Sequence, residues 1–482
     1  MHQVVIIGAG FAGLGMAIGL KRRRFDDFVV LERAEEVGGT WRDNHYPGAA
    51  CDVESHLYSY SFEPNRAWTR AFAPQKEILD YLVRCTDKYG VRPHIRFGTA
   101  VVRARFDEQT ATWEVETQSG QALRTRVLVS ACGPLSKPSL PDIRGLETFQ
   151  GKTFHSARWD HAFSLDRKRV AVIGTGASAI QIVPSIAPRV ASLHVFQRTP
   201  PWVVPKRDRA FGEVERALFA LAPPLQRLSR SAIYWQREAL AVGFVVEPRI
   251  LKALSHVALR YLNRSVADSA LRAKLTPSYA MGCKRILPTN DWYRTLQRDN
   301  VEVVTQPIAQ VRPSAIVSGD GRERPVDAIV LATGFEAAEQ MAPFDVRGRG
   351  GRDLNDAWRD GAEAYLGTSV SGFPNLFVLV GPNTGLGHGS MVFMIESQVA
   401  YVTSAIETMR DRGLKMVDVR RDVQTTYNER VRDRLKRTVW SSGCTSWYQT
   451  RTGRNTTLWP GFTFEFRMRT RKFDATAYET AG

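Results

Sequence analysis

The sequence lacks the features that mark several common classes of protein. It holds five cysteines in 482 residues, and no two of them form a CxxC pair. This spacing argues against a disulfide framework and against a dithiol redox centre, and a reducing compartment, the cytoplasm, fits it best. No apolar run reaches the roughly 18 residues that would predict a transmembrane helix. The strand-like run that opens the chain does not resemble a signal peptide.

Several catalytic and binding signatures are absent as well. The chain has no G-x-S-x-G elbow and no H-E-x-x-H pair, so neither a serine hydrolase nor a metal site is predicted. The net charge is +17, but the arginines are scattered, and the one tight basic run, residues 21–24, falls at the end of the first predicted helix. We interpret this run as a solvated helix end and predict no nucleic-acid partner.

Two segments share one plan, in which an apolar strand leads through a glycine-rich turn into a helix. The turns carry Gly8, Gly10 and Gly13 after residues 4–7, and Gly174 and Gly176 after residues 170–173. Glycines at these spacings allow a tight turn, close approach of the backbone to a pyrophosphate, and close packing of helix on strand. Because continuously apolar strands are typical of buried parallel sheets, the pattern predicts an α/β protein with two Rossmann-like dinucleotide-binding domains.

The residue that ends each unit predicts which nucleotide it binds. Glu32 ends the second apolar strand of the first unit, 19 residues past Gly13. A carboxylate there suits the free ribose 2′-hydroxyl of FAD or NAD. Arg198 takes the equivalent place in the second unit and is followed by Thr199. A guanidinium there suits a 2′-phosphate and so predicts NADP.

These units predict one domain inserted into another. We expect residues 1–140 to form the first part of an FAD-binding domain, 150–326 an NADP-binding domain, and 327–482 the second part of the FAD-binding domain with a C-terminal active-site loop.

A helical insertion is predicted within the NADP-binding domain, over about 210–275. Its apolar residues recur at three- and four-residue spacing, at Val214, Leu218, Leu221, Leu225 and Leu228. The favoured interpretation is a lid or a packing layer. Weak contact of its arginine-rich face with a membrane stays open as an alternative.

One stretch between the two units is more specific. Phe149, Gly151, His155, Trp159 and Asp160 match every defined position of F-x-G-x-x-x-H-x-x-x-W-[P/D]. This stretch resembles the fingerprint of the type I Baeyer–Villiger monooxygenases, which are class B flavoprotein monooxygenases. Segments elsewhere are similar to the same family, so the resemblance covers nearly the whole chain.

The resemblance implies the cofactors FAD and NADPH and a set of residues that contact them. The flavin-side loop would contribute Thr40, Trp41 and Asp52, a second flavin motif Thr333 and Gly334, and the mobile C-terminal loop Trp447, while Lys284 and Thr199 would join Arg198 at the 2′-phosphate. At Ala50 the family often carries a larger or basic residue, so the contacts of the flavin-side loop are expected to differ there.

The resemblance also implies the reaction. NADPH reduces the flavin, O2 is held as a C4a-peroxide, and this peroxide attacks a small-molecule ketone, which becomes an ester or a lactone. An anionic peroxide needs a fixed cation, and a buried cation needs a partner. The segment around Arg285 is similar to the one that carries the family's active-site arginine, with Asp52 as its carboxylate partner. Arg285 and Asp52 are therefore the predicted catalytic pair.

Three other functions share parts of this pattern. A monooxygenase that oxidises nitrogen or sulfur has the same two units but needs no arginine to stabilise an oxyanion. A flavoprotein disulfide reductase shares the nested plan but needs a reactive cysteine pair, which the sequence does not show. A non-catalytic protein that binds FAD and NADP also keeps its glycine turns, and turnover alone distinguishes it.

Overall fold

A computed structural model describes residues 1–337, 342 and 344–482 of the chain. These residues form twenty strands, β1 to β20 in chain order: His2–Ile7, Phe28–Leu31, Ile95–Arg96, Val101–Asp107, Thr112–Thr117, Ala122–Ser130, Lys152–His155, Arg169–Ile173, Ser192–Phe196, Val203–Val204, Leu287–Pro288, Val301–Val304, Ile308–Arg312, Ala315–Ser318, Glu323–Pro325, Ala328–Leu331, Asp345–Arg347, Leu376–Val378, Met416–Val419 and Tyr478–Ala481. They also form thirteen α-helices, α1 to α13: Phe11–Arg22, Thr40–Asp43, Gln75–Lys88, Ala179–Ile186, Glu213–Leu221, Pro223–Val245, Arg249–Ser265, Ser269–Leu275, Trp292–Thr295, Leu354–Ala357, Met391–Asp411, Arg421–Leu435 and Thr463–Arg469.

The first large sheet contains the strand that opens the chain. Its order is β17-β4-β5-β6-β1-β2-β3, and β18 joins the C-terminal part of β6. β1 lies between β2 and β6 and is parallel to both. Val4 and Ile6 pack with α1 and α11, whereas Val5 and Ile7 belong to a separate cluster around Trp113. The apolar runs of the sequence are therefore explained by a sheet that is covered on both faces.

The second large sheet is wholly parallel, with the order β12-β9-β8-β16-β7. β16 lies inside it, between β8 and β7. The boundary predicted at residue 326 precedes this strand, which nevertheless pairs within the second sheet. The physical reason is that a short apolar strand fits either sheet, and its own sequence does not say which one it joins.

Four helices, α5 to α8, occupy the chain between β10 and β11, where a helical insertion is predicted. The prolines Pro223 and Pro224 begin α6, because proline is tolerated in the first turn of a helix. Within the described ranges, no helix combines the length and the apolar content needed to cross a membrane. The predicted α/β fold class, with two dinucleotide-type sheets and a helical insertion, is confirmed.

The apolar repeat of this insertion is largely exposed rather than buried in the core. Its five residues are exposed by 45% to 84%, with Leu221 at 84%, Val214 at 75% and Leu228 at 67%. Of the two favoured interpretations, a lid or a packing layer, these exposures argue against a packing layer for these side chains, and the lid stays a prediction. Helical spacing shows only that the side chains share one side of a helix, and it does not show whether that side faces the core.

A substitution at Gly13 tests how closely the first glycine turn is packed. A Cβ atom at this position would lie 1.8 Å from the carbonyl oxygen of Gly8, so the backbone would have to move. We expect Gly13→Ala to lower the free energy of unfolding, measured by chemical denaturation, by roughly 2–3 kcal/mol or more. The control is Gly212→Ala, because nothing lies near the Cβ position of Gly212, and its cost as a helix N-cap is held to about 1 kcal/mol. Equal losses in the two variants would contradict the close packing of the turn.

Candidate active site

The first glycine turn lies where β1 meets α1. Gly8 has a left-handed φ of +102°, and a Cβ there would lie 2.8 Å from the carbonyl oxygen of Ala131, so the position requires glycine. Gly10 is the N-cap of α1, and no side chain caps the free N–H groups of this helix. A turn with this opening leaves the N-terminus of α1 available to a phosphate group.

Glu32 lies beside this turn, at the end of β2, and is 4% exposed. Its carboxylate accepts hydrogen bonds from the backbone N–H groups of Ala9 (2.8 Å) and Ala34 (3.0 Å). Arg42 also donates to it, at 3.0 Å. These contacts hold the carboxylate against the turn, in the place where the sequence predicts recognition of a ribose hydroxyl.

The second glycine turn joins β8 to α4. Gly174 has a φ of +113°, and a Cβ there would lie 2.4 Å from the carbonyl oxygen of Ala332. Gly176 has open space where its Cβ would stand. The hydroxyl of Thr175 donates to the carbonyl of Thr199 at 3.0 Å, which ties the turn to the residues that follow β9.

Two cations beside this turn have no carboxylate partner among the described residues, Arg198 and Lys284. Burial, and then the positive charge of Arg198, lower the pKa of Lys284, so the two charges lie close together. The ammonium group of Lys284 lies 4.9 Å from the ring centre of Tyr279. In the described part of the chain, the buried side-chain oxygen of Gln197 also has no hydrogen-bond partner. Two cations that repel each other and have no carboxylate partner favour an anion such as a phosphate.

The predicted catalytic pair forms a bidentate ion pair. Arg285 donates to Asp52 from Nε (2.7 Å) and from Nη2 (2.8 Å). Burial opposes ionisation of Asp52, but the charge and the hydrogen bonds of Arg285 outweigh it and hold the pKa of this carboxyl below its usual value. The attraction of Asp52 raises the pKa of Arg285 further above its usual range. The pair therefore stays charged at neutral pH, and its contribution to stability is lost only as the pH falls through the lowered pKa of Asp52.

The pair is partly accessible. Arg285 exposes 30% of its side chain and Asp52 exposes 24%, so a small molecule can reach them. The Nη1 group of Arg285 has no acceptor among the described residues, and it is a free donor on a permanent cation.

Other contacts hold the loop that carries Asp52. Arg237 of α6 donates to the backbone carbonyl of Asp52 at 3.4 Å and pairs with Glu54 at 2.8 Å. Gln181 of α4 donates to the backbone carbonyl of Ala50 at 2.9 Å. Sequence reasoning missed Arg237, Glu54 and Gln181, because nothing in their spacing marks them. The contacts at Ala50 use its backbone, which the small side chain leaves accessible.

The remaining predicted flavin-side residues lie in two places. Trp41 donates from its indole N–H to the hydroxyl of Tyr58 at 3.1 Å, and Thr40 is exposed at the start of α2. Thr333 donates to the carbonyl of Ser139 at 2.6 Å. Gly334, the next residue, has a φ of +83° with open space at its Cβ position.

The fingerprint residues brace the two ends of β7. At the start, a Cβ on Gly151 would lie 2.5 Å from the carbonyl oxygen of Asp327, and Phe149 is partly buried nearby. At the end, the buried ring of His155 stands edge-on to Phe335 at 5.7 Å, and burial lowers the pKa of His155.

The last two fingerprint residues continue this bracing. Trp159 contacts Phe154 of β7 edge-on, with ring centres 4.9 Å apart. Asp160 forms an ion pair with Lys152, the first residue of β7, at 2.6 Å. The fingerprint thus fixes β7 next to the turn at Gly334.

The C-terminal loop is joined to the segment of Arg285 by a disulfide bond. Cys283 and Cys444 are bonded, with their Cα atoms 6.3 Å apart and 161 residues between them in sequence. The cysteine spacing argued against a disulfide framework, and for this pair that inference is wrong, because the fold brings together residues that are far apart in sequence. The remaining cysteines, Cys51, Cys85 and Cys132, are free.

The same loop carries two aromatic residues with different surroundings. Trp447, the residue expected over the nicotinamide, is 41% exposed. Its ring centre lies 4.6 Å from that of Tyr448, which is buried. The hydroxyl of Tyr448 has no partner within the described ranges. Sequence reasoning did not single out Tyr448 beyond its place in the loop.

Comparison with known proteins identifies the class. A family model described as pyridine nucleotide-disulphide oxidoreductase matches residues 5–211, which include both glycine turns but neither Cys283 nor Cys444. A protein of Pseudomonas aeruginosa named Baeyer-Villiger monooxygenase is 50% identical to the chain, over 99% of the chain and 91% of that protein.

Solved structures agree over the whole chain. The complex of OTEMO with FAD and NADP has a TM-score of 0.90 and 30% identity, over 100% of this chain and 99% of that one. The closed structure of cyclohexanone monooxygenase has a TM-score of 0.89 and 29% identity, over all of both chains. These relatives, which match the chain over nearly its whole length, define a flavoprotein monooxygenase. Within that class, the chain belongs to the Baeyer–Villiger monooxygenase family, as its fingerprint predicts.

The disulfide bond leads to a testable prediction about the C-terminal loop. We expect Cys444→Ser, or a dithiol reductant added to the wild type, to speed chymotryptic cleavage after Trp447 several-fold, because the loop loses its covalent tie to Cys283. Intact mass and peptide mapping measure the cleavage. Reductant should add nothing to the variant. Equal cleavage of the oxidised wild type and the variant would contradict a bond that restrains the loop.

Proposed function

We propose that this protein is an FAD- and NADPH-dependent Baeyer–Villiger monooxygenase, which inserts one oxygen atom of O2 beside the carbonyl of a ketone and releases an ester or a lactone. The observation that carries the proposal is the bidentate pair of Arg285 and Asp52. It presents a permanent, partly accessible cation one residue along the chain from Lys284, which neighbours Arg198.

The first turn fits FAD. Gly8 and Gly13 admit no side chain, Gly10 leaves the backbone open, and the uncapped N-terminus of α1 offers free N–H groups to a pyrophosphate. Glu32 is fixed where it can accept a hydrogen bond from a ribose hydroxyl. Thr40, Trp41, Thr333 and Gly334 are the further residues proposed to contact the flavin.

The second turn fits NADP. Gly176 leaves space for a pyrophosphate, and the unpaired cations Arg198 and Lys284, with Thr199 beside them, supply positive charge for the 2′-phosphate. Trp447 is proposed to close over the nicotinamide, since it lies exposed on a loop that is already tied to the segment of Arg285.

The protein's own part in the chemistry is electrostatic. FAD, when bound and reduced by NADPH, supplies the oxygen atom of O2 that enters the product. Arg285 holds a positive charge at a fixed position throughout, because a guanidinium is not deprotonated at working pH. Negative charge that develops on substrate oxygen is stabilised most by a cation that needs no rearrangement, and the two bonds to Asp52 provide this preorganisation.

Oxidation of nitrogen or sulfur is the nearest alternative. The reagent in that reaction is electrophilic and produces no oxyanion at carbon, so a fixed guanidinium is not needed. The geometry of Arg285 favours ketone oxidation, and the same variant separates the two functions.

Arg285→Ala tests the proposal directly. We expect kcat for ketone oxidation to fall at least about 100-fold, because the developing oxyanion loses its fixed cation. Product is measured by mass spectrometry against a panel of linear, cyclic and aryl ketones with one thioether. NADPH should still reduce the bound flavin, followed by bleaching of its absorbance, which shows that the variant is folded.

The same panel can also contradict the proposal. Ketone turnover at the wild-type rate in Arg285→Ala would show that the electrostatic mechanism is wrong. Sulfoxide as the sole product of the wild type would favour heteroatom oxidation instead.

A second prediction concerns the proposed coenzyme site. We expect Arg198→Ala to raise KM for NADPH by about 10- to 100-fold through loss of a charge-assisted hydrogen bond, and to leave KM for NADH nearly unchanged. Steady-state kinetics with both coenzymes provide the measurement. Arg207→Ala is the matched control, since Arg207 is an exposed arginine close by in sequence that is not assigned to the nucleotide. An equal rise in KM for NADPH and for NADH would show that Arg198 does not bind the 2′-phosphate.

A further inference from the structure

The exposed large apolar side chains of this protein are concentrated in one region. In the described part of the chain, sixteen large hydrophobic residues are exposed, and twelve of them belong to α5, α6, α7, α13 and the link after α6: Val214, Leu218, Leu221, Leu225, Leu228, Trp235, Leu240, Val246, Ile250, Val257, Phe464 and Met468. We call these twelve side chains the outer helical surface. Single exposed apolar residues are ordinary on a protein, but a concentration of this size marks a contact surface.

The apolar positions of α6 lie on one side of the helix. Leu225, Leu228, Ala232, Trp235 and Ala239 are all exposed and recur at three- and four-residue spacing, which places them within about a quarter of the helix circumference. The other side of α6 faces the protein. A helix with this division is built to lie along an apolar boundary.

The surface continues from α6 onto α13. The ring centres of Trp235 and Phe464 lie 6.2 Å apart, and Phe464 stacks on Phe462 at 5.3 Å. Tryptophan is enriched at the boundary between membrane and water, and phenylalanine is typical of the apolar side of helices that lie in this boundary.

The exposed charges on α6 and α7 are basic, whereas α5 and the link after α6 contribute the acidic residues Glu213 and Glu247. Arg227 is the one exposed charged residue of α6, whose only acidic residue, Glu238, is buried and accepts hydrogen bonds from Thr463. α7 has no acidic residue at all, and its exposed positions include the basic residues Arg249, Lys252, Arg260 and Arg264. Apolar side chains beside arginines and lysines complement the acyl chains and the anionic headgroups of a phospholipid surface.

We propose that the outer helical surface binds the surface of a membrane that contains anionic phospholipids, with α6 lying along the interface. A second copy of the chain fits less well, because a symmetric contact would bring the cations of α7 against one another. The contact is peripheral, since no helix of the described residues is able to cross a membrane.

The test uses the full-length holoenzyme and sedimentation with vesicles of phosphatidylcholine, with and without phosphatidylglycerol. We expect binding to the vesicles with phosphatidylglycerol, weaker binding to phosphatidylcholine alone, and weakening by salt. The triple variant Leu221→Gln, Leu228→Gln, Trp235→Gln should bind about tenfold or more weakly, because it removes the apolar contact. Its ketone turnover without vesicles should match the wild type, since the three side chains are exposed on the outer side.

A matched control separates this surface from general hydrophobicity. Leu140 and Val102 are exposed by 68% and 42% and lie outside the outer helical surface, so Leu140→Gln with Val102→Gln should bind vesicles as the wild type does. Lys252→Glu with Arg260→Glu should abolish the preference for phosphatidylglycerol.

Three results would overturn the proposal. The first is a wild type that does not bind vesicles, and the second is a triple variant that binds them as well as the wild type. The third is a wild type that forms a dimer without lipid, together with a triple variant that stays a monomer. The last result, read by light scattering, would assign the surface to a second copy.

Discussion

The ion pair between Arg285 and Asp52 is the contact on which the arrangement of the site depends. Asp52 lies in the part of the chain that carries the first glycine turn, and Arg285 follows the helical insertion in the part that carries the second, so the pair crosses between the two units. Removal of one partner from a partly buried pair leaves an uncompensated charge, and that loss exceeds what the intact pair contributes to stability. The same two hydrogen bonds therefore join the units and fix the cation that the proposed chemistry needs.

Two further contacts make this crossing rigid. Arg237 of α6 holds Glu54 and the backbone of Asp52, and Gln181 of α4 holds the backbone of Ala50. Hydrogen bonds therefore connect the loop that carries Asp52 to α6 of the insertion and to α4, which follows the second glycine turn. These bonds connect α4 and α6 to the loop whose carboxylate holds the guanidinium of Arg285.

The sequence predicts the parts of the site that local backbone geometry requires, and not the parts that depend on distant contacts. Gly8, Gly13 and Gly174 are predictable because a Cβ at each would meet a carbonyl oxygen. The bond between Cys283 and Cys444 spans 161 residues, and no local pattern signals it. The strand Ala328–Leu331 has the apolar run of a buried strand but joins the second sheet, because strand sequence encodes burial and not the partner strand. Resemblance to a family supplied Arg285 and Asp52, which spacing alone would have left as separate charges.

The helical insertion shows how one helix can meet opposite requirements on its two sides. The inner side of α6 carries Arg230, Arg237 and Glu238, and each is held by a polar partner: Arg230 by backbone carbonyls near His56, Arg237 by Glu54, and Glu238 by Thr463. The outer side carries leucines and tryptophan and is exposed. α6 also buries Ala241 and Phe244 in the usual way, so its exposed apolar side is additional to its contact with the core. A buried polar network and an exposed apolar side on one helix are both explained if both sides are contact surfaces. The inner side holds the loop of Asp52, and the outer side is the one proposed to meet a membrane.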